Sequence, residues 1–199
     1  MRYKITIEWD GTPFCGFQRQ ENGLSIQECI EVAIESLFQE KSVLYGAGRT
    51  DKGVHALKMV AHFDITTKEL DTYSIKTGLN HYLNIYPISI LDVTEINSDF
   101  HARYDAIERK YLYRIINRTS PLSIEKGRAW LVMKDLNLEK MQACISFIEG
   151  KHDFTTFRSV NCQSKSAIKT LTSCKITRQD DNIYFCLLYT SDAADEVVS

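Results

Sequence analysis

The sequence predicts a mixed helix-and-strand fold of the α+β class, arranged as two related halves, on three observations. Apolar and polar residues alternate at strand period in several runs, of which Tyr3, Ile5, Ile7 and Trp9 form the first. Two stretches, after Ser25 and after Asn137, place apolar residues at helical spacing behind a capping side chain. The order strand, helix, strand occurs in both halves, a weak internal repeat by layout. With 199 residues the chain can bury a sizeable core in one or two domains. The expected division is 1–105, 106–185 and a tail at 186–199.

Taken in order, the first strand ends at the turn residues Asp10-Gly11-Thr12-Pro13. Ser25-Ile26-Gln27-Glu28 fits a capping box, in which hydroxyl and carboxylate each satisfy a free backbone amide. Ile26, Cys29, Ile30, Ala33 and Leu37 then form the buried stripe of a helix. Val43 to Ala47 returns as a short strand, and Leu57, Met59, Ala61, Phe63 and Ile65 alternate beyond the next loop. A helix is expected over Asp71 to Leu83 and a strand over Ile88 to Ile96. In the second half Arg109 to Ile116 reads as a strand, with Tyr111, Tyr113 and Ile115 on one face and Leu112, Arg114 and Ile116 on the other. Asn137 caps a helix whose stripe is Leu138, Met141, Ile145 and Ile148, with Gly150 as its stop.

Composition is that of an ordinary globular chain, 44% hydrophobic and 25% charged. No apolar run approaches the ~20 residues that span a bilayer, and the N-terminus lacks a signal-peptide core, so a cytoplasmic protein is expected. Six cysteines without a Cys-x-x-Cys pair suggest neither zinc nor a redox dithiol. The net charge of −2 is unevenly spread. Arg103, Arg109, Lys110, Arg114, Arg118, Lys126 and Arg128 are met only by Asp105, Glu108 and Glu125, and between Lys151 and Arg178 the only acid is Asp153. One face can thus follow a phosphate backbone, although a solvated pair of strands would read the same way.

The densest chemistry lies in Gly48-Arg49-Thr50-Asp51-Lys52-Gly53-Val54-His55-Ala56, a glycine-bracketed loop between two strands that presents Asp51. Charge and glycine alone would also describe a capped hairpin turn, and a phosphate cradle is disfavoured because the Gly-Lys-Ser/Thr spacing is lacking. The string resembles the active-site motif of the tRNA pseudouridine synthase A family, Gly-Arg-Thr-Asp-(Ala/Lys)-Gly-Val-His-(Ala/Gly). Trp9 to Gln20 is similar to that family's second signature, with Trp9 and Phe17 as aromatic swaps. Phe100 to Ala106 is similar to Phe-x-Ala-Arg-x-x-Ala, Lys110 and Tyr111 fall in its basic-x-Tyr-x-Tyr element, and Gly150 to Phe157 matches Gly-x-His-Asp-Phe-x-x-Phe. In the segment 166–171 the family has Arg where this chain has Lys169, which keeps the charge without the planar fork.

The resemblance implies a pseudouridine synthase fold, a mainly antiparallel sheet flanked by helices, and a homodimer when full length. It implies Asp51 as catalytic carboxylate, with Arg49 placed to pair with Asp51 and to take up phosphate or fill the vacated stack, and Tyr111 to lie against the uracil. Gln18, Arg19, Thr50, Lys52, His55, Arg103, Lys110, His152 and Lys169 are the further positions expected to bind the substrate, the anticodon stem-loop of a tRNA. The reaction requires no cofactor, and His55 and His62 read as hydrogen-bonded histidines rather than metal ligands. After Phe185 the pattern departs from the family. Residues 186–199 resemble the read-through translation of a sequencing-library adapter, so they are expected to be a non-native tail that leaves the second half incomplete. That tail carries Asp192, Asp195 and Glu196 and no base, so without it the charge of −2 becomes +1. The alternatives are a tRNA-binding chain without catalysis and, well behind, a small-molecule hydrolase with an Asp nucleophile.

Overall fold

A computed structural model describes residues 1–157 and 167–190. Cys162, Ser166 and the tail residues 191–199 named above lie outside those described. The chain divides into two compact units, Met1–Asp105 and Ala106–Ser199.

The first unit comprises β1 (Arg2–Trp9), α1 (Ile26–Phe38), β2 (Tyr45–Gly46), β3 (Ala56–Asp64), α2 (Thr72–Leu83) and β4 (Ile88–Ile96). Its strands form one antiparallel sheet in the order β2-β3-β1-β4. Tyr3, Ile5, Ile7 and Trp9 all face the core, as their alternation demands, against Ile26, Cys29, Ile30, Ala33, Ile34 and Phe38 of α1 and Ile75, Leu79 and Leu83 of α2. Burying one such side chain contributes about 1.5–3 kcal/mol, so this cluster dominates the stability of the unit.

The Ser25 hydroxyl caps α1 by accepting from the Glu28 N–H at 3.2 Å. The reciprocal half of the expected capping box is replaced, because the Glu28 carboxylate faces Arg19 at 3.3 Å. At the far end of α1 the Glu40 carboxylate accepts the backbone N–H and hydroxyl of both Thr66 and Thr67. The Thr67 hydroxyl, with the other donors of this pair, pulls Glu40 down to about 2. That clip joins the end of α1 to the end of β3.

Leu57 departs from expectation. It is 69% exposed rather than buried, because Ile7 pairs with Met59 and Trp9 with Ala56, which leaves Leu57 and Lys58 opposite Glu8 alone. The extra residue of this bulge turns Leu57 out of the alternation.

The second unit comprises β5 (Glu108–Asn117), β6 (Trp130–Val132), α3 (Leu138–Ile145), β7 (Gly150–Asp153), a single 3-10 turn at Thr155–Phe157, β8 (Ile168–Gln179) and β9 (Asn182–Thr190). The sheet order is β6-β5-β9-β8-β7, antiparallel except for the β5–β6 pair. The strand β9 runs through Phe185 to Thr190 without a break. Asn137 caps α3 from its side chain at 2.9 Å, but the helix ends at Ile145 and not at Gly150. There the Ser146 hydroxyl bonds the Ala143 carbonyl, an alternative to the helical ladder, and Gly150 opens β7 at φ 99°. Ile148 still packs on the core of Ile115, Ile145, Leu171, Cys174, Ile176 and Ile183.

His62 is buried in the first unit, its Nδ1 accepting the Ala102 N–H at 3.2 Å. Burial, with the charges of His101 and Arg2 adding, pushes it down to about 4 from 6.5. Because the unfolded chain takes up this proton first, stability is full above pH 6.5 and falls as the pH drops toward 4. The loss is on the order of 3 kcal/mol. His62→Gln keeps an acceptor for Ala102 and does not titrate. Denaturant midpoints between pH 7.5 and 4.5 are therefore expected to fall much less steeply in this variant than in the unsubstituted chain; parallel slopes would contradict the assignment.

Candidate active site

The loop of residues 47–55 leaves β2 at Ala47, whose N–H donates to the Val60 carbonyl at 2.8 Å, and turns where the Val54 N–H meets the Asp51 carbonyl at 3.2 Å. Its backbone is clasped by the segment that follows β1. The Trp9 indole N–H donates to the Val54 carbonyl at 3.0 Å, and the Phe17 N–H donates to the Thr50 carbonyl at 3.0 Å. The Gly11 N–H donates to His55 Nδ1 at 3.0 Å. The Asp10 carboxylate, 3.2 Å from the same nitrogen, accepts the Thr12 N–H.

Two glycines make this approach possible. A Cβ on Gly11 would stand 2.2 Å from the Val54 carbonyl oxygen, and one on Gly16 would stand 2.9 Å from that of Thr50. Inside the loop only Gly53, at φ 79°, needs a glycine conformation. Gly48 does not: its φ lies outside the left-handed range, and an added Cβ would meet nothing nearer than the Met59 methyl at 3.9 Å.

Asp51 is thus carried outward on a fixed backbone. It is exposed, and among the described residues none donates to its carboxylate. Arg49 and Lys52 on either side are exposed as well, while the Thr50 hydroxyl oxygen is buried with no hydrogen-bond partner among the described residues. Gln18 is exposed. Arg19 is held by Glu28 at 3.3 Å and Glu31 at 3.2 Å, so its guanidinium steadies α1. The half-buried Arg103 donates its backbone N–H to His101 Nδ1 at 3.2 Å.

In the second unit Tyr111 is 40% exposed on β5, next to the exposed Lys110. Tyr189 of β9 stacks beside it, centroids 5.4 Å apart and planes 3° apart, and donates from its hydroxyl to that of Tyr111 at 3.1 Å. His152 and Lys169 sit directly opposite one another in β7 and β8. One His152 nitrogen, Nε2, is 2.7 Å from the Glu149 carbonyl. Two strand spacings and about four residues of register separate Lys169 from Tyr111, on the order of 15 Å, so the unit holds two separate groups of expected site residues. Of the basic run in 103–128, Arg114 is bound to Glu125 at 2.6 Å and to Asn182, and Arg118 to Asp181 at 3.8 Å. That leaves Lys110 and Lys126 as its exposed lysines.

A family model described as tRNA pseudouridine synthase matches residues 5–105 and 143–191. The tRNA pseudouridine synthase A of Ehrlichia canis (strain Jake) is 50% identical over 188 residues, covering 93% of this chain and 76% of the relative. That of Agrobacterium fabrum (strain C58 / ATCC 33970) is 46% identical over 184 residues, covering 92% of this chain and 69% of the relative. This chain belongs to the tRNA pseudouridine synthase A family.

Membership makes it an isomerase by class and accounts for the antiparallel-rich sheets flanked by helices. The span 5–105 contains both partners of the clasp, the Asp51 loop and the segment from Trp9 to Phe17. Lys110 and Tyr111 fall between the two matched spans. In this synthase-family chain, sequence reasoning missed the Trp9–Val54 and Gly11–His55 bonds, since hydrogen bonds between segments about 45 residues apart leave no local pattern. The available signal was the pair of glycines at 11 and 16 in an otherwise aromatic turn. Among the described residues no group of three or more His, Cys, Asp or Glu is placed to share a metal ion, and no helix is long and apolar enough to cross a membrane.

Proposed function

We propose that this chain isomerises uridine to pseudouridine in the anticodon stem-loop of tRNA, with Asp51 as the catalytic carboxylate. The observation that carries this reading is the exposed Asp51 on a loop held through its backbone at Thr50 and Val54 and through the side chain of His55. The N1–C1′ bond breaks, the uracil turns, C1′ joins C5, and the proton lost from C5 is balanced by one gained at N1. A fixed carboxylate serves such a reaction as a nucleophile at C1′ or C6, or as a base on the sugar. The uridine must leave its stack, at a cost of a few kcal/mol, which favours an acid that stands clear of the surface. Arg49 then takes phosphate or the vacated stack, Tyr111 offers a flat face to the uracil, and Lys52, Lys110 and Lys169 meet the backbone of the RNA. The same reading makes the protein cytoplasmic and a homodimer.

The test is an unmodified tRNA transcript incubated with the protein and mapped by carbodiimide-dependent stops of reverse transcription. New stops confined to the anticodon stem-loop are expected. Stops elsewhere would reject the assigned region, and tRNA binding without any stop would make the chain a binder and not a synthase.

A further inference from the structure

The first sheet carries a compact group of rings on the face away from α1 and α2. Tyr45, His62 and Lys4 stand in one cross-strand row, and alternation puts that row opposite the buried Ile5 and Ala61. Tyr45 stacks on His62 at 5.0 Å with planes 16° apart. The segment after β4 adds His101, whose ring lies 4.8 Å from His62 and 5.6 Å from Tyr45, and Tyr104, 4.2 Å from His101.

This group is fixed by its backbone. The Ala102 N–H donates to His62, the His101 N–H donates to the Asp105 carboxylate at 2.7 Å, and the Asp105 N–H returns to the His101 carbonyl at 2.9 Å. Arg2 donates to the Phe100 carbonyl at 2.6 Å. Yet its outer rings stand in solvent, Tyr45 being 45% and Tyr104 52% exposed. Rigid exposed rings lose little freedom when a flat partner lies on them. An aliphatic docking patch would show Leu, Ile or Met here. Instead the rings are phenols and imidazoles, with Lys4 in the same row and Arg103 in the same segment, and aromatic platforms among cations are how proteins hold unstacked bases.

Tyr45 precedes Asp51 by six residues, a reach of at most ~20 Å. We propose that Tyr45, His101 and Tyr104 form a stacking shelf for an unpaired nucleobase of the same RNA whose uridine reaches Asp51. This rests on the RNA reading above and adds to it a second contact, to a base that is not modified.

The experiment compares binding of an unmodified tRNA transcript to the unsubstituted chain and to Tyr104→Ala, Tyr104→Leu and Tyr104→Trp across a salt series. Melting temperatures serve as the control for folding. Tyr104→Ala and Tyr104→Leu are expected to weaken binding ~5- to 100-fold, Tyr104→Trp to retain it, and the salt slope to stay constant because no phosphate contact is lost. Equal affinity for Tyr104→Ala, or full binding by Tyr104→Leu, would overturn the shelf while leaving the synthase reading in place. Should Tyr104→Ala unfold, the Leu and Trp pair decides the question alone. Absence of tRNA binding by the unsubstituted chain would overturn both.

Discussion

Asp51→Asn is expected to lower pseudouridine formation by at least ~10³-fold while leaving tRNA affinity within a few-fold of the original. The substitution is nearly isosteric and removes only the charge and the basicity. Among the described residues nothing donates to the Asp51 carboxylate, and the turn bond at this position runs through its backbone carbonyl, so the loop does not depend on the side chain. The clasp bonds at Thr50, Val54 and His55 also remain. Each proposed route, attack at C1′, attack at C6 or removal of a sugar proton, needs an electron pair that an amide oxygen does not supply at useful strength. Single-turnover formation of pseudouridine, measured beside equilibrium tRNA binding, separates the two effects. Activity equal to that of the unsubstituted chain would remove Asp51 from the chemistry. A parallel loss of binding and activity would recast it as a contact to RNA.

The elements that were legible in the sequence are those specified by neighbours in the chain. Ser25, Asp71 and Asn137 each cap the helix expected behind them, because a cap involves residues only three positions apart. Tyr3 to Trp9 are buried at alternate positions as their pattern demands, and Ile88 to Ile96 forms the strand expected there. Most of the failures involve a partner outside the local segment, whereas α3 stops short of Gly150 beside a local bond from the Ser146 hydroxyl to the Ala143 carbonyl. Leu57 keeps the strand pattern but loses burial to a bulge set by the register against β1. Glu28 has the capping-box spacing, yet Arg19 draws its carboxylate away. Gly48 looks like a hinge because it flanks the charged loop, while the glycines that the loop cannot do without are Gly11 and Gly16, more than thirty positions upstream. The Asp51 string was readable as one continuous segment. The ring cluster of Tyr45, His62, His101 and Tyr104 was not, since it draws on β2, β3 and the segment after β4, which lies about forty residues beyond His62.

Gly11→Ala is expected to cost ~1–3 kcal/mol of stability and, in the molecules that remain folded, about 10²-fold in the rate of pseudouridine formation. The added methyl would stand 2.2 Å from the Val54 carbonyl oxygen and 2.6 Å from its carbon, and both are backbone atoms that no rotamer change can move aside. Either the segment after β1 or the Asp51 loop must shift by about an ångström, and the shift bears directly on the Trp9–Val54 and Gly11–His55 bonds that hold the loop. Catalysis falls steeply with such displacements because a carboxylate acts only within hydrogen-bonding reach of its target. Two substitutions in the loop itself isolate this effect from any general intolerance of glycine replacement. Gly48→Ala meets only the Met59 methyl at 3.9 Å and is expected to be near neutral in both measurements. Gly53→Ala meets nothing within 4 Å but must adopt φ 79°, so it is expected to cost about 1 kcal/mol of stability with a smaller change in rate. Thermal melts and single-turnover rates on the three variants should therefore rank Gly11 well ahead of Gly53, and Gly53 ahead of Gly48. Were Gly11→Ala as active as Gly48→Ala, the contact between the two segments would have no part in placing Asp51, and the loop would hold its acid by its own turn alone.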